Sequence, residues 1–298
     1  MTIILSGTDL ATSLRAGVTA RAASLIERSI QPKLAVVTAT DDASTAWYVR
    51  SIAKQAQRTG IVCEIVNLGP TADNSRIHTA LASLSDDHSV HGIILQTPLP
   101  DYGALPDLRA EISPAKDVDG ANPVSLGRLL SHQRAFAPAT AQAVISLLDH
   151  YGIELRGRTA AVVGRSIVVG TPLANMLVQR DATVTLCHRH TRNLSAITRA
   201  AEIVVVAVGV PGLISAEHLV DGAIVIDVGT TADDDGRLLG DVDAHSVEGR
   251  AGALSPVPGG VGPVTTTLLL ANTITAATDL ATGAPDDRRH CLISSQPT

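Results

Sequence analysis

One stretch constrains the fold of this chain more than any other: Ala160-Ala161-Val162-Val163-Gly164-Arg165-Ser166-Ile167-Val168-Val169-Gly170-Thr171-Pro172. Its first residues are small or β-branched and apolar, as a strand buried on both faces requires. Gly164 ends the run and lets the backbone turn sharply. Gly170 allows helix and strand to approach closely. Pro172 suits a first helical turn, where a missing N–H costs nothing. A strand, a glycine turn and a helix start in that order place free N–H groups and the positive end of a helix dipole together, a site suited to a pyrophosphate.

The spacing is G-x-S-x-x-x-G rather than the common G-x-G-x-x-G, so the surroundings must support the reading. About 20 residues further on, Ala182-Thr183-Val184-Thr185-Leu186-Cys187 reads as a second strand, the separation expected of a dinucleotide-binding βαβ unit. A chain selecting NAD places an acid at the end of that strand, for the ribose hydroxyls. Here the strand runs into His188-Arg189-His190, and Arg165 sits in the first turn. Two arginines and no carboxylate favour a 2′-phosphate, so the expected cofactor is NADP.

The rest of the chain supports a two-domain α/β protein. Its 298 residues suffice for about two domains. Strand and helix patterns alternate: a helix over 8–29, a strand Leu34–Val37, a helix from Thr45 to Thr59 capped by Asp41–Ser44, a strand Ile61–Val66, a helix Ser75–Leu84 and a strand Val90–Leu95. That alternation implies a parallel sheet. Residues 101–137 read as irregular. A linking helix over 139–151 leads to strands near 160, 183, 203 and 223, the last clear one being Ile224–Gly229. Ser255–Pro263 is too dense in Pro and Gly for a regular element. A helix over 265–282 follows, then a polar tail, 283–298, expected to be loose.

Composition excludes several classes of function. The net charge of −6 argues against nucleic acid as a partner. No apolar run approaches the roughly 20 residues of a membrane span, and no secretion signal is evident. Cys63, Cys187 and Cys291 are odd in number and far apart, as in a reduced cytoplasmic protein without a metal site. Aromatics make up only 2%, so Ala, Val, Ile and Leu must fill the core.

Ligands of open α/β sheets bind beyond the carboxyl ends of the strands. Gln96 lies at such an end, Asp119 in the loop after it, and Tyr48 on the helix after the first strand. A cleft between two domains would bring them toward the nicotinamide. Taken singly, each has an ordinary structural reading as a core edge, a loop hydrogen-bonder or a turn former.

Together with the cofactor turn, Gln96-x-Pro98-Leu99-Pro100, Lys116-Asp117-Val118-Asp119-Gly120 and Pro256-Val257-Pro258-Gly259-Gly260-Val261-Gly262-Pro263 give four ordered motifs. On these the chain resembles the methylenetetrahydrofolate dehydrogenase/cyclohydrolases, from about residue 3 to 282. The resemblance implies a homodimer. It implies a folate domain over 1–137, completed by the helix 265–282, and a Rossmann NADP domain over 138–264. The family oxidises 5,10-methylenetetrahydrofolate with NADP and hydrolyses the methenyl product. Carried over by position, Tyr48, Gln96 and Asp119 would be catalytic. Tyr48 would pack on the folate and Asp119 would bind the pterin, with Pro258, Gly259 and Gly260 on the folate side. Gly164, Arg165, Ser166, Val169, Gly170, Arg189, Gly209 and Thr230 would hold the cofactor.

The departures fall on the substrate side. The family pattern Y-V-x-x-K-x-K reads here Tyr48-Val49-Arg50-Ser51-Ile52-Ala53-Lys54, so Ile52 stands at the catalytic lysine. On a helix, position 52 shares a face with Tyr48, whereas Lys54 lies about 240° round from Tyr48 and cannot replace it. Asn122 stands where a His is usual, and Pro138-Ala139-Thr140-Ala141-Gln142-Ala143 replaces P-C-T-P-x-G. Hydride transfer needs orientation and the electronic push of the folate nitrogens. Hydrolysis of the methenyl cation needs a titratable group, which isoleucine is not. The expected activity is therefore dehydrogenation with weak or absent cyclohydrolase. Two alternatives stay open: a dehydrogenase of another cyclic aminal or imine, and a non-catalytic NADP- or folate-binding paralogue.

Overall fold

The structure, a computed structural model, describes residues 1–233 and 235–283. The expected tail begins at Gly283; its remainder and Cys291 lie outside the described residues. The chain divides into two compact units, one of residues 1–16 and 138–268, the other of 17–137 and 269 onward.

In chain order the elements are β1 (Ile3–Ile4), α1 (Thr8–Glu27), β2 (Lys33–Thr38), α2 (Ala43–Arg58), β3 (Val62–Asn67), α3 (Asn74–Asp86), β4 (Gly92–Leu95), α4 (Leu105–Ala110), α5 (Pro123–Leu130), α6 (Ala139–His150), β5 (Thr159–Val163), α7 (Gly170–Val178), β6 (Thr183–Cys187), α8 (Leu194–Arg199), β7 (Ile203–Val206), β8 (Ile224–Asp227), β9 (Thr231–Ala232), β10 (Leu238–Leu239), α9 (Ala244–Val247), β11 (Ala253–Leu254) and α10 (Val261–Thr282).

The first unit carries a parallel six-stranded sheet in the order β1-β11-β8-β7-β5-β6. β5 and β7 are fully or almost fully buried along most of their length, the burial that their runs of Ala, Val and Ile require. β6 lies on one side of β5 and β7 on the other, so the strand order reverses at β5. That reversal point is where an open α/β sheet binds its ligand. The sheet extends further than the sequence suggests. β11 and β1 are two residues each, too short for a periodic signal, and β1 joins through Ile3 pairing with Ala253. This pairing draws the first sixteen residues into the unit of 138–268.

The second unit carries a parallel sheet in the order β3-β2-β4, with Asp117 bridging in parallel to Ile93 at the β4 edge. Its core is built from Ala35, Val37, Ile77, Leu81, Ile93, Leu95, Leu105 and Leu108, among others. Val118 and Thr273 of α10 crowd the α-carbon of Gly92, and Asn272 Nδ2 donates to Val118 O at 2.8 Å, so α10 packs on this edge. α10 begins at Val261, four residues before the expected Thr265, because Pro263 fits a first helical turn. Residues 101–137, read from sequence as irregular, contain the short helices α4 and α5, each with a proline in its first turn. Among the described residues no helix is long and apolar enough to cross a membrane.

Lys116 has a structural task in this unit. Its buried ammonium donates to the carbonyl oxygens of Ser85 (2.6 Å), Asp87 (2.7 Å) and Leu84 (3.3 Å), at the carboxyl end of α3. A cation there satisfies orphan carbonyls and complements the helix dipole. Burial lowers its pKa from the ordinary lysine value. Lys116→Met leaves these carbonyls unpaired, and urea denaturation should find the protein about 2–3 kcal/mol less stable with an unchanged m-value.

Candidate active site

The residues assigned to the cofactor lie on loops at the carboxyl edge of the six-stranded sheet, save Gly170, which opens α7. Gly164 to Val169 follow β5, Arg189 follows β6, Gly209 follows β7 and Thr230 follows β8. Gly164 adopts φ +122°, and a β-carbon there would overlap the carbonyl oxygen of Ala207, just past β7. A β-carbon on Gly170 would overlap the carbonyl oxygen of Gly164. These two contacts bring the start of α7 against the turn, where the cofactor reading needs it.

The turn also satisfies part of its own hydrogen bonding. Ser166 Oγ accepts from Val169 N–H at 3.1 Å, Thr171 N–H donates to Ser166 O at 3.0 Å, and Thr171 Oγ1 donates to Arg165 O at 3.1 Å. The expected set of free N–H groups is therefore narrower than the sequence implies: Thr171 is engaged and Pro172 has none. Arg165, Ser166 and Arg189 are exposed. Val163 pairs with Cys187, so the loops bearing Arg165 and Arg189 leave adjacent strands at the same edge. Arg189 Nε donates to His190 Nε2 at 3.2 Å.

Two buried carboxylates that the sequence reading missed anchor these loops. Asp241 accepts from the N–H groups of Val208 (2.6 Å), Gly209 (3.0 Å) and Val210 (2.7 Å). Asp227 accepts from Gly229 (3.0 Å), Asp241 (3.0 Å) and Val242 (2.9 Å). Burial pushes the Asp227 carboxyl up to about 6, opposed by the N–H bonds it accepts. The available signal was an acid closing the apolar run Ile224-Val225-Ile226. Pro258, Gly259 and Gly260 follow β11 in this same unit, with Gly259 O accepting from Gly7 N–H at 2.8 Å.

Tyr48, Gln96, Asp119 and Ile52 belong to the other unit. Asp42 caps α2: its Oδ2 accepts from Thr45 N–H and Thr45 Oγ1, both at 2.7 Å. Thr45 Oγ1 also reaches Thr97 O at 3.3 Å, which ties the start of α2 to the segment after β4. Tyr48 is half-buried one turn along α2, and Gln96 is half-buried immediately after β4, its N–H donating to Val37 O. Asp119 lies two residues past Asp117, which bridges to Ile93 of β4, so all three lie on segments at the carboxyl edge of this sheet. Ile52 is fully buried, on the face of α2 that also buries Thr45, Val49 and Ala56. Trp47, next to Tyr48, is 59% exposed.

Asp119 is half-buried among charged groups. Burial, with the neighbouring Asp117, pushes its carboxyl up to about 7, against the opposing pull of Arg109. Asp117 accepts from Ala121 N–H (3.0 Å) and Asn122 N–H (2.9 Å). Asn122, where the resemblance leads one to expect a His, is buried and caps α5 by accepting from Val124 N–H at 2.6 Å. Its amide also donates to Ile112 O (2.7 Å) and Arg109 O (3.2 Å). Arg109 is a third residue without a sequence signal, since a lone arginine in a short helix gives no pattern.

Two family models match the chain. Residues 5–119 match the tetrahydrofolate dehydrogenase/cyclohydrolase catalytic domain, and residues 138–281 match the NAD(P)-binding domain of the same enzymes. The chain belongs to the tetrahydrofolate dehydrogenase/cyclohydrolase family. It is 66% identical to Bifunctional protein FolD 1 of Rhodococcus jostii over 93% of both chains, and 59% identical to Bifunctional protein FolD 1 of Saccharopolyspora erythraea over 92% of this chain and 93% of that one. Among solved structures it resembles the FolD methylenetetrahydrofolate dehydrogenase/cyclohydrolase of Campylobacter jejuni, with TM-score 0.90, 35% identity and coverage of 94% and 99%. A Trypanosoma brucei relative, solved with NADP cofactor and an inhibitor, gives TM-score 0.88 and 35% identity, with coverage of 93% and 97%.

The raised carboxyl of Asp119 links stability to pH. An unfolded aspartate titrates near 4, about 3 units below the folded group, so the folded chain holds an extra proton between these values. The stability contributed by this group is full below about pH 4 and is lost as pH rises through 7. Asp119→Asn stays neutral throughout. Its melting temperature should exceed that of the unaltered protein at pH 8 by about 5 °C and converge with it below about pH 4; an Asn variant that melts no higher at pH 8 would show that the ionised carboxylate is well accommodated.

Proposed function

We propose that this chain is an NADP-dependent methylenetetrahydrofolate dehydrogenase in which hydrolysis of the methenyl product is lost or feeble. The observation that carries the second half is the disposition of its lysines. The sequence has three. Lys33 pairs with Glu64 at 2.6 Å, at the amino end of β2. Lys116 is held by the carbonyls at the end of α3. Lys54 is exposed, on the side of α2 away from the buried Ile52. None stands where a general acid–base near Tyr48 is needed. The relatives named above are called bifunctional, so the proposed loss rests on this chain's own residues alone.

The cofactor side fits NADP. The Gly164 and Gly170 contacts form a turn with no room for side chains, Arg165 and Arg189 leave adjacent strands at one edge, and no acid follows β6 to repel a 2′-phosphate. When bound, NADP supplies the hydride acceptor. The protein's part is to hold and orient. Tyr48 would lie against the planar part of the folate, Asp119 would accept hydrogen bonds from the pterin, and Gln96 would fix the reacting ring by its amide. Pro258, Gly259 and Gly260 would shape the approach from the loop after β11. Because the ring nitrogens of the substrate push electrons toward the departing hydride, no protein base is required. A homodimer in the cytoplasm completes the proposal, by analogy with the family; a mass measurement in solution tests the dimer.

With methylenetetrahydrofolate and NADP, NADPH should rise in step with methenyltetrahydrofolate, which should then decay no faster than in an enzyme-free control. Faster decay would return the cyclohydrolase step to this protein. No NADPH despite tight NADP binding would favour a different cyclic aminal, a reading that the buried Arg109 and Asn122 beside Asp119 would then motivate. Separately, Arg189→Ala should lower the preference for NADP over NAD, as a ratio of kcat/KM, by at least about tenfold.

A further inference from the structure

Arg109 lies near the end of α4 and is only 7% exposed. A guanidinium carries five N–H donors and is seldom buried unless they are used. Here Nε–H is buried and meets no acceptor in the protein. The group is close enough to Asp119, Tyr102 and Asp117 for their charges to favour its ionised form, while burial works against it. Leaving a charged donor unmet inside a protein is destabilising, so a donor kept there in a fixed place calls for an acceptor from outside.

The place is fixed by hydrogen bonds. Asn122 Nδ2 donates to Arg109 O (3.2 Å) and Ile112 O (2.7 Å), while Asn122 N–H and Ala121 N–H donate to Asp117. The end of α4 and the loop from Asp117 to Asn122 therefore form one hydrogen-bonded block, with Arg109 on one part and Asp119 on the other. A carboxylate can only accept and a guanidinium can only donate. The block thus offers both halves of a hydrogen-bonding edge.

We propose that Arg109 is a substrate-binding residue that, with Asp119, reads the amide edge of a pterin: Asp119 accepts from the ring N–H and exocyclic amine, and Arg109 Nε–H donates to the ring carbonyl. This assignment rests on the folate reading above and adds a residue to it. It also gives the buried cation a second task. By favouring the ionised form of Asp119, Arg109 keeps the acceptor half of the edge in its binding state near neutral pH.

The test compares Arg109→Leu and Arg109→Lys with the unaltered protein. The probes are tetrahydrofolate, p-aminobenzoylglutamate (which lacks the pterin) and NADP, each titrated from pH 6 to 9. Arg109→Leu should bind tetrahydrofolate about 10- to 100-fold more weakly, the range for a lost hydrogen bond to a charged group. The pH midpoint of that binding should rise, because the cation favouring ionised Asp119 is gone. Affinity for p-aminobenzoylglutamate and NADP should not change. Arg109→Lys should restore the midpoint but not the affinity. Unchanged tetrahydrofolate binding in Arg109→Leu, or an equal loss for all three probes, overturns the assignment. If the leucine variant does not fold, a lysine variant with full tetrahydrofolate affinity overturns it as well. An unaltered protein that binds NADP but no tetrahydrofolate overturns the folate reading itself, and this subsite with it.

Discussion

Two buried carboxylates hold the ligand-facing edge of the six-stranded sheet. Loops at the end of a parallel sheet have no ladder of their own, and their N–H groups need acceptors. Asp241 gathers three such groups from the loop after β7, and Asp227 gathers three more from the loop after β8 and from Asp241 and Val242. The two negative charges repel each other, so the arrangement depends on the backbone dipoles that surround them. Gly209 is held directly by this network, and Gly229, next to Thr230, donates to Asp227. The Gly164 turn on the neighbouring strand depends on a different device, direct backbone contact with Ala207 and with the start of α7.

The two units have changed unequally. In the unit with β5, the glycines, the close contacts and the cationic loop ends agree with one cofactor. In the unit with α2, the position that would carry an amine carries a fully buried isoleucine, and a buried arginine interacts with Asp119. Two demands on such a site are separable. Orientation of a substrate survives the loss of a titratable amine; proton movement does not. Lys116 shows why a nearby lysine is no substitute: its ammonium already serves three carbonyls, and withdrawing it would open the end of α3.

Much of this was legible in the sequence, for identifiable reasons. The runs that became β2, β5, β7 and β8 were readable because strands buried on both faces are mostly apolar, the edge strand β6 by its β-branched residues, and the glycine turn because only glycine fits its contacts. Less was legible where elements are short. β1 and β11 have two residues each, and α4 and α5 fell in a stretch whose Pro, Gly and Asp content suggests only loops. Of the site, Tyr48, Gln96 and Asp119 stood out by their places beside strand ends or by resemblance. Asp227, Asp241 and Arg109 did not, because each matters through backbone or charge partners distant in sequence. The role of Asn122 was hidden for the same reason: its amide bonds carbonyls ten and thirteen residues back.

One feature of α2 gives the protein an optical property. Trp47 is the only tryptophan in the chain, and its indole stands largely in solvent beside Tyr48. Emission from this protein under tryptophan excitation therefore originates at a single point, the first turns of α2. A change in polarity or quenching around the first turns of α2 is therefore read from one indole, and no second emitter dilutes the signal. The protein thus carries its own label on the helix that bears Tyr48 and Ile52.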